Sequence, residues 1–340
     1  MPKRKSETRR QNMQSIIPLL ARAAGVSLFF LAAIFTSSQA ADYPSRPIKI
    51  VVAGPPGGGT DFLARLLADK LMKQFGNSVI VENRAGASGL IGTKYVKQAA
   101  PDGYTLIMGH TGTHAILPLI HTERTYDPIK DFTPISLIAT TPDFLVVPAN
   151  SPIKNFADLV ARAKEKPGVL TYGTPGIGQP QHVLALRVTM QAGIKLMHVP
   201  YNGSSPAITD LLGGRLTSMF VTSAAIMPFI KSGQVRALAI STETRSKLLP
   251  NVPTLEEAGL KGLYQVDWLG LFGPAHMPAA TVKTLSTAVM KVMQGAAIRH
   301  QISESYMDPE GTTPQKLTTL QADDVAKFKQ IVEETGLKIN

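Results

Sequence analysis

Short apolar runs rich in β-branched residues alternate along the chain with longer segments whose apolar residues recur at helical spacing. The run 48–54 (IKIVVAG) predicts a buried strand, and the apolar residues spaced three and four apart over 62–75 predict a helix. Strands are also predicted at 78–82 and 104–108, with a helical stretch between them that ends near residue 100. This alternation favours parallel α/β layers.

The same order of elements returns in the middle of the chain. Strands are predicted at 144–147, 169–173, 195–200, 216–221 and 235–240, and helices at 156–166, from about residue 181, and at 207–212. Two amphipathic helices, 279–298 and 313–335, are expected to pack back on the first set of elements. With 340 residues, the chain is long enough for two domains.

The N-terminus has the three parts of a secretory signal peptide. A basic segment (1–22) precedes an apolar run of 13 residues (23–35), and a small-x-small site ends at Ala40. The apolar run is short for a lasting membrane anchor, which is the alternative. We expect cleavage after Ala40 or Ala41 and export to the periplasm, and the Arg9-Arg10 pair leaves both the general and the twin-arginine routes open.

Composition removes several classes of function. The chain has no cysteine, which excludes disulfides, thiolate nucleophiles, thiolate zinc sites and a lipid-anchored cysteine. Residues 1–40 account for +5 of the net charge of +11, so the remainder is only mildly basic. No Lys/Arg run with interleaved aromatic residues follows, and we expect no nucleic-acid partner.

Two glycine-rich turns are the main candidates for chemistry. Residues 55–60 and 174–178 each follow a predicted strand and open a predicted helix. The first N–H groups of a helix lack intrahelical partners and lie at its positive end, so such a turn can bind an anion. Two of them could hold the two ends of a diacid, and the alternative is that both are ordinary strand–helix turns. Neither supplies the lysine of a nucleotide-binding loop.

Signals for catalysis and for metal binding are weak. GxSxG and HExxH do not occur. His110, His114 and His121 cluster, but no acidic residue lies between His110 and Glu123, so a metal site is a minor alternative and no cofactor is expected. The polar turn 201–206 is either a plain surface turn or a source of hydrogen-bond donors at a crevice.

Eight segments, in chain order, resemble the substrate-binding receptors of tripartite tricarboxylate transporters, often called Bug-type proteins. The resemblance covers essentially all of the chain after the predicted signal peptide. The segments are YPSRPIKIVVAGPPGGGTDFLAR (43–65), VENRAGASGLIG (81–92), APDGYTL (100–106), YGTPGIG (172–178), VPYNGSSPAITDLLGG (199–214), IKSGQVRALAIST (230–242), LPNVPTLEEAG (249–259) and EETGLKI (333–339).

The resemblance implies an α/β, two-domain, venus-flytrap periplasmic binding protein of type II, each domain a mixed, mostly parallel sheet flanked by helices. Residues 1–40 would be the signal peptide, 41–145 plus 270–340 the first domain, and 146–269 the second. The chain would cross between the domains near 143–148 and 268–273.

The resemblance implies that the protein is a monomeric receptor and not an enzyme. It would capture a small di-, tri- or aromatic carboxylate between the domains and deliver it to the membrane permease of a tripartite tricarboxylate-type transporter. The alternatives are a sensor subunit that presents the ligand to a two-component system and an enzyme on the same fold.

The resemblance also implies a set of ligand-binding residues in the two turns and in three further segments. They are Pro56, Gly57, Gly58, Thr60, Asp61, Thr111, Thr113, His114, Thr174, Pro175, Gly176, Gly178, Gln179, Tyr201, Asn202, Gly203, Val221 and Thr222. Two positions depart from the family pattern. Gln179 replaces the usual Ser or Thr, and Val221-Thr222 replaces an acidic or amide residue, so we expect an apolar or aromatic acid in preference to an amino acid.

Overall fold

The computed structural model describes residues 43–123 and 125–338. The predicted signal peptide lies outside these residues. The described residues from Pro44 onward form one compact unit. None of the described helices combines the length and the apolar character needed to cross a membrane.

The sheet is built, within the described residues, from ten strands. They are β1 (Ile48–Val52), β2 (Val79–Asn83), β3 (Thr105–His110), β4 (Phe132–Pro148), β5 (Thr171–Thr174), β6 (Met197–Pro200), β7 (Ser218–Thr222), β8 (Val235–Ile240), β9 (Val266–Pro274) and β10 (Asp308–Pro309).

Ten α-helices accompany these strands in the same part of the chain. They are α1 (Gly59–Phe75), α2 (Leu90–Lys97), α3 (Leu117–Ile120), α4 (Phe156–Glu165), α5 (Pro180–Ala192), α6 (Ser204–Leu212), α7 (Ser223–Lys231), α8 (Ala279–Met293), α9 (Ala296–Glu304) and α10 (Pro314–Thr335). A 3₁₀ turn (Ala87–Gly89) precedes α2, and a π-helical turn (Gly112–Ile116) precedes α3.

The sheet consists of two halves that share strand β4. In the first half, β1 lies parallel between β2 and β3, and β9 runs antiparallel between β3 and β4. In the second half, β5 lies parallel between β6 and β7, and β4 runs antiparallel to β7 and β8. Residues of β4 up to Pro142 pair with β9, and those from Asp143 pair with the second half. These two sets of strands are called the first half and the second half below.

The sequence of β4 explains why it can serve both halves. In the second half, Leu145 and Val147 join the apolar cluster on one face of the sheet, whereas Phe144 and Val146 join the cluster on the other. A strand covered on both faces needs apolar side chains at successive positions, which is the FLVV pattern. In the first half, Trp268 and Phe272 of β9 lie in the core.

Capping residues fix the ends of the two helices that follow the glycine-rich turns. Helix α1 carries Asp61 in its first turn, which complements the helix dipole, and ends at Gly76 in the left-handed conformation (φ 65°). Helix α5 begins with Pro180, whose fixed φ suits the first helical position, and ends at Gly193 (φ 61°).

The predicted fold class is confirmed as a mixed α/β sheet flanked by helices. The single helix predicted at 279–298 is wrong, because α8 ends at Met293 and α9 begins at Ala296 after Gly295 adopts an extended conformation (φ −66°, ψ 127°). Gly loses more conformational freedom in a helix than any other residue, which makes it a natural break. The domain boundaries stay a prediction.

Candidate functional site

The two glycine-rich turns lie on either side of one contact region between the halves. The Ser88 hydroxyl, in the first half, donates to the Ile177 carbonyl of the second turn at 3.0 Å. A Cβ at Gly203, in the second half, would lie 3.6 Å from Pro55 Cγ of the first turn. The Gly203 N–H donates to the Pro175 carbonyl (2.9 Å), so the turn that contains Gly203 is bonded to the second glycine-rich turn. The region formed by 53–60, 86–89, 174–179 and 201–203 is called the seam below.

The first turn presents backbone donors to the seam. Pro56, Gly57 and Gly58 are exposed, and Thr60 is half-buried. The Phe62 N–H donates to the Gly58 carbonyl, which is the first bond of helix α1. The N–H groups before it therefore have no intrahelical partner, and they lie at the positive end of the helix dipole.

Asp61 holds this turn in shape. Its buried carboxylate accepts from the Gly57 N–H (3.0 Å), from Asn83 Nδ2 (2.9 Å) and from two nitrogens of Arg65 (3.0 Å each). Burial alone would raise the pKa of Asp61, but the bonds to Arg65, Gly57 and Asn83 outweigh it and hold the pKa below its ordinary value. The carboxylate is thus ionised and occupied by protein donors.

The second turn is held by hydrogen bonds from behind. Buried Thr174 bonds His198 Nε2 through its hydroxyl (2.7 Å), and the Gly178 N–H, at φ 73°, donates to His182 Nδ1 (3.2 Å). The two imidazoles stack with ring centroids 4.0 Å apart. Burial lowers the pKa of His182 to about 3 and that of His198 to about 4, so both are neutral at pH 7. The second turn is therefore polar without a charged side chain at its back.

Other predicted residues of the second half surround this turn. Pro175 is half-buried and Gly176 is buried beside the Ser88 hydroxyl. The Tyr201 hydroxyl donates to Asp210 (2.7 Å), whereas Asn202 is exposed. Val221 belongs to the apolar core of the second half, and Thr222 is half-buried immediately before α7.

The predicted residues Thr111, Thr113 and His114 are all buried in the first half. Thr111 Oγ1 accepts from the Trp268 N–H (2.9 Å), and Thr113 Oγ1 bonds His114 Nδ1 (2.9 Å). The His114 ring packs against Phe132 and Phe272, with centroids 4.7 and 4.3 Å away, and burial lowers its pKa to about 3. The contacts of these three side chains fix the segment 111–114 within the first half.

Gln179 is the one predicted residue whose side chain bonds across the halves. Its amide Nε2 donates to the Ser88 carbonyl at 2.9 Å. Ser88 itself was not predicted from the sequence, because nothing in the segment GASG distinguishes it as a partner.

A buried polar network at the crossing of the halves was also missed. Gln181 Nε2 donates to Asp143 Oδ1 (2.8 Å) and to Asp267 Oδ2 (2.7 Å). Burial raises the pKa of Asp143 to about 7, and burial together with the charge of Asp143 raises that of Asp267. Single acids inside the apolar strands TPDFLVV and QVDWLGLF were the available signal.

Metal chemistry finds no support in the part of the chain that the structure describes. No group of three or more His, Cys, Asp or Glu side chains is arranged there to hold an ion. Of the clustered histidines, His110 accepts from the Gly112 N–H, and His114 bonds Thr113 and stacks on Phe272.

Comparison with known proteins identifies relatives in one family of receptors. Residues 63–337 match the family described as the tripartite tricarboxylate transporter family receptor. Protein BugT of Bordetella pertussis is 31% identical over 318 residues, which are 93% of this chain and 98% of BugT.

Two solved structures are similar in fold and in sequence. R. palustris Rpa4515 with adipate is 33% identical, with a TM-score of 0.83, and the match covers 87% of this chain and 99% of that one. MatC from Rhodopseudomonas palustris with bound malate is 30% identical, with a TM-score of 0.80, and the match covers 85% and 100%. Sequence, fold and family all indicate a solute-binding receptor and not an enzyme. The chain belongs to the receptors of the tripartite tricarboxylate transporter family.

Proposed function

We propose that the protein is a periplasmic receptor that captures a small carboxylate at the seam and delivers it to a tripartite tricarboxylate-type permease. The observation that carries this proposal is that the N-terminal ends of α1 and α5, each preceded by a parallel strand of its own half, belong to one contact region. Ligands of open α/β sheets bind outside the carboxyl ends of the strands, where such helix termini lie.

In this proposal the first turn binds one carboxylate group of the ligand. The N–H groups of Gly59 and Thr60 donate to it, and Asp61 keeps the turn in place through Gly57. A hydrogen bond to a charged group contributes about 1.5–3 kcal/mol, so two or three of them suffice for binding without a cationic side chain.

The second turn and the exposed Asn202 contribute the far side of the site. The backbone N–H groups of Gly176 and Ile177 are the donors proposed for this side, because the Gly178 N–H is already bonded to His182. These N–H groups lie at the N-terminal end of α5 and can donate to a second carboxylate or another oxygen acceptor of the ligand, and they offer no partner for a ligand ammonium group.

The ligand class and the export route have separate support. Adipate and malate, the acids named for two related structures, are both small dicarboxylates. The permease partner follows from the family. Export to the periplasm rests on the basic, apolar and small-x-small segments of residues 1–40.

A thermal-shift screen against carboxylic acids tests this function, because a ligand that binds only the native state raises its stability. The discriminating variant is Gly58→Asp. Gly58 has φ −81°, and a Cβ there meets no atom within 4 Å, so a side chain is accommodated. Asp is also a favourable residue before a helix, so this variant should fold.

We expect Gly58→Asp to lose about 100-fold or more in affinity for the acid, because its carboxylate competes for the same N–H groups and repels the ligand. Gly58→Ala is the matched control and should bind within about threefold of the wild type. Equal affinity of the Asp variant and the wild type would refute the role of the first turn.

A further inference from the structure

The side chain of Gln179 is placed unusually for its position in the fold. It is the residue immediately before helix α5, where a side chain commonly bonds to the first N–H groups of its own helix. Gln179 makes no such bond. Its amide instead extends to the first half, where Nε2 donates to the Ser88 carbonyl (2.9 Å) and Oε1 lies beside Gly112, 2.9 Å from where a Cβ would be.

Ser88 returns the contact from the other side. Its hydroxyl donates to the Ile177 carbonyl at 3.0 Å, two residues before Gln179. Ser88 and its neighbour Ala87 both have positive φ angles, 55° and 46°, which residues other than glycine rarely adopt. Such a conformation persists only when the surrounding structure holds it, and here it presents both the carbonyl and the hydroxyl of Ser88 to the same turn.

The two bonds join segments that no strand pairing joins. Ser88 follows β2 of the first half, and Gln179 follows β5 of the second. The halves are also linked through the crossing strand β4, through the buried network around Gln181, and through the bond between the Thr141 and Ser223 hydroxyls (2.9 Å). The Ser88–Gln179 pair adds direct bonds between two turns of different halves, and opening of the halves would separate its atoms.

We propose that Gln179 and Ser88 form a latch that holds the two halves closed, so that Gln179 is a positioning residue and not a direct ligand contact. The proposal rests on the proposed function, since closure matters because it retains the ligand. It has a consequence for selectivity. The latch forms only when the turns approach to hydrogen-bond distance, so a ligand too long to allow this would be released faster.

The test uses the absence of native cysteine. Spin labels on Lys94→Cys and Lys164→Cys, exposed residues of α2 and α4, report the separation of the halves by electron–electron double resonance, with and without saturating adipate. The variants are Gln179→Ala, Gln179→Asn and Ser88→Ala. Asn is one methylene shorter and favours the position before a helix, so Gln179→Asn keeps the fold while removing the reach to Ser88.

Gln191→Ala is the matched control, because Gln191 lies on the same helix and donates its amide to the Lys261 carbonyl (3.0 Å) within the second half. We expect each latch variant to lower the closed-to-open ratio about two- to tenfold, the range for one lost hydrogen bond, and the control to leave it unchanged. Adipate should dissociate faster from the latch variants by a similar factor, with an unchanged association rate.

A distance distribution in Gln179→Asn that equals the wild type, with and without adipate, overturns the latch. A wild type without any closed population overturns it as well. If the wild type does not bind adipate, the proposed function fails for that acid, while the spin-label distances of the unliganded protein still decide the latch.

Discussion

The turn before α1 depends on the single carboxylate of Asp61. Four donors converge on its two oxygens, and one of them is the Gly57 N–H of the turn itself. Removing the carboxylate would leave the Gly57 N–H without its partner and the Asn83 amide with only the Gly54 carbonyl (3.2 Å). The side chain of Arg65 is half-exposed and can turn to water.

We therefore expect Asp61→Ala to lower the free energy of unfolding by about 2 kcal/mol. Asp69→Ala is the control on the same helix, because Asp69 pairs with Lys70 and Lys73 at the surface and such exposed pairs contribute less than about 1 kcal/mol. Urea denaturation of both variants measures the difference. Equal losses would show that Asp61 does not organise the turn.

At the scale of single residues, the sequence allowed prediction of residues that belong to a recognisable motif. The turn at 55–60 was predicted because a glycine-rich turn before a helix has a recognisable pattern, and Asp61 was added through the family resemblance; their contact with a ligand stays a prediction. Ser88 could not be found, since its positive φ and its partner 89 residues away depend on tertiary packing. Val221 packs in the core of the second half, and its expected contact with a ligand stays a prediction.

Strands β4 and β9 carry the buried acids Asp143 and Asp267, which share the amide of Gln181 from α5. Gln265, immediately before β9, donates its amide Nε2 to Asp267 Oδ1 (3.5 Å). The charge of Asp324 on α10 also raises the pKa of Asp267. Burial lowers the pKa of Lys327 on the same helix, whereas the nearby charges of Asp324, Asp267 and Glu243 raise it. Ionising both carboxyl groups would place two like charges close together and away from water, which costs free energy. The network therefore favours retention of a proton.

This network makes stability depend on pH in a defined direction. The pKa of Asp143 is about 7 in the folded protein and about 4 in an unfolded chain. The folded state therefore holds a proton that the unfolded state releases, and the contribution of this group to the free energy of unfolding falls as pH rises from about 4 to 7.

In the variant Asp143→Asn, the carboxyl group is replaced by an amide that stays neutral at every pH. We expect its melting temperature to lie close to that of the wild type near pH 4 and to exceed it at pH 8, because the difference in free energy of unfolding grows by up to about 1.4 kcal/mol per pH unit inside the window. Buried histidines such as His114 and His182 add the opposite slope at acid pH, but they are common to both proteins and cancel in the difference.

The exposed carboxyl of Asp323, also on α10, provides the control variant Asp323→Asn. Because this side chain is exposed, the substitution should change the free energy of unfolding by no more than about 0.5 kcal/mol. A constant gap between Asp143→Asn and the wild type from pH 5 to pH 8 would contradict the raised pKa of the buried acid.

At the scale of elements, regular patterns were predictive and interrupted ones were not. Strand β8 was predicted with its observed bounds, because VRALAI is a short apolar run between polar turns. The first part of β4 was missed, since Pro134 and Pro142 argue against a strand. Helix α7 was missed because it has only nine residues and contains Pro228.

At the scale of the whole molecule, the two halves repeat one arrangement. Each has three parallel strands and an antiparallel strand received from the other part of the chain. The repeated order of strands and helices was visible in the sequence, whereas the seam was not, because it brings together residues about 90 positions apart. A pair of halves linked by crossing strands and closed by a latch suits capture and release of a small ligand.

Isothermal titration of the purified protein against carboxylic acids and their neutral amides tests the central claim most directly. Adipate with adipamide is one such matched pair. The account predicts that at least one small carboxylate binds with one-to-one stoichiometry at micromolar affinity or better, and that its amide binds at least about 100-fold more weakly, because the N–H groups of the first turn recognise charge. Equal binding of the acid and its amide, or no carboxylate bound at millimolar concentration, would contradict it.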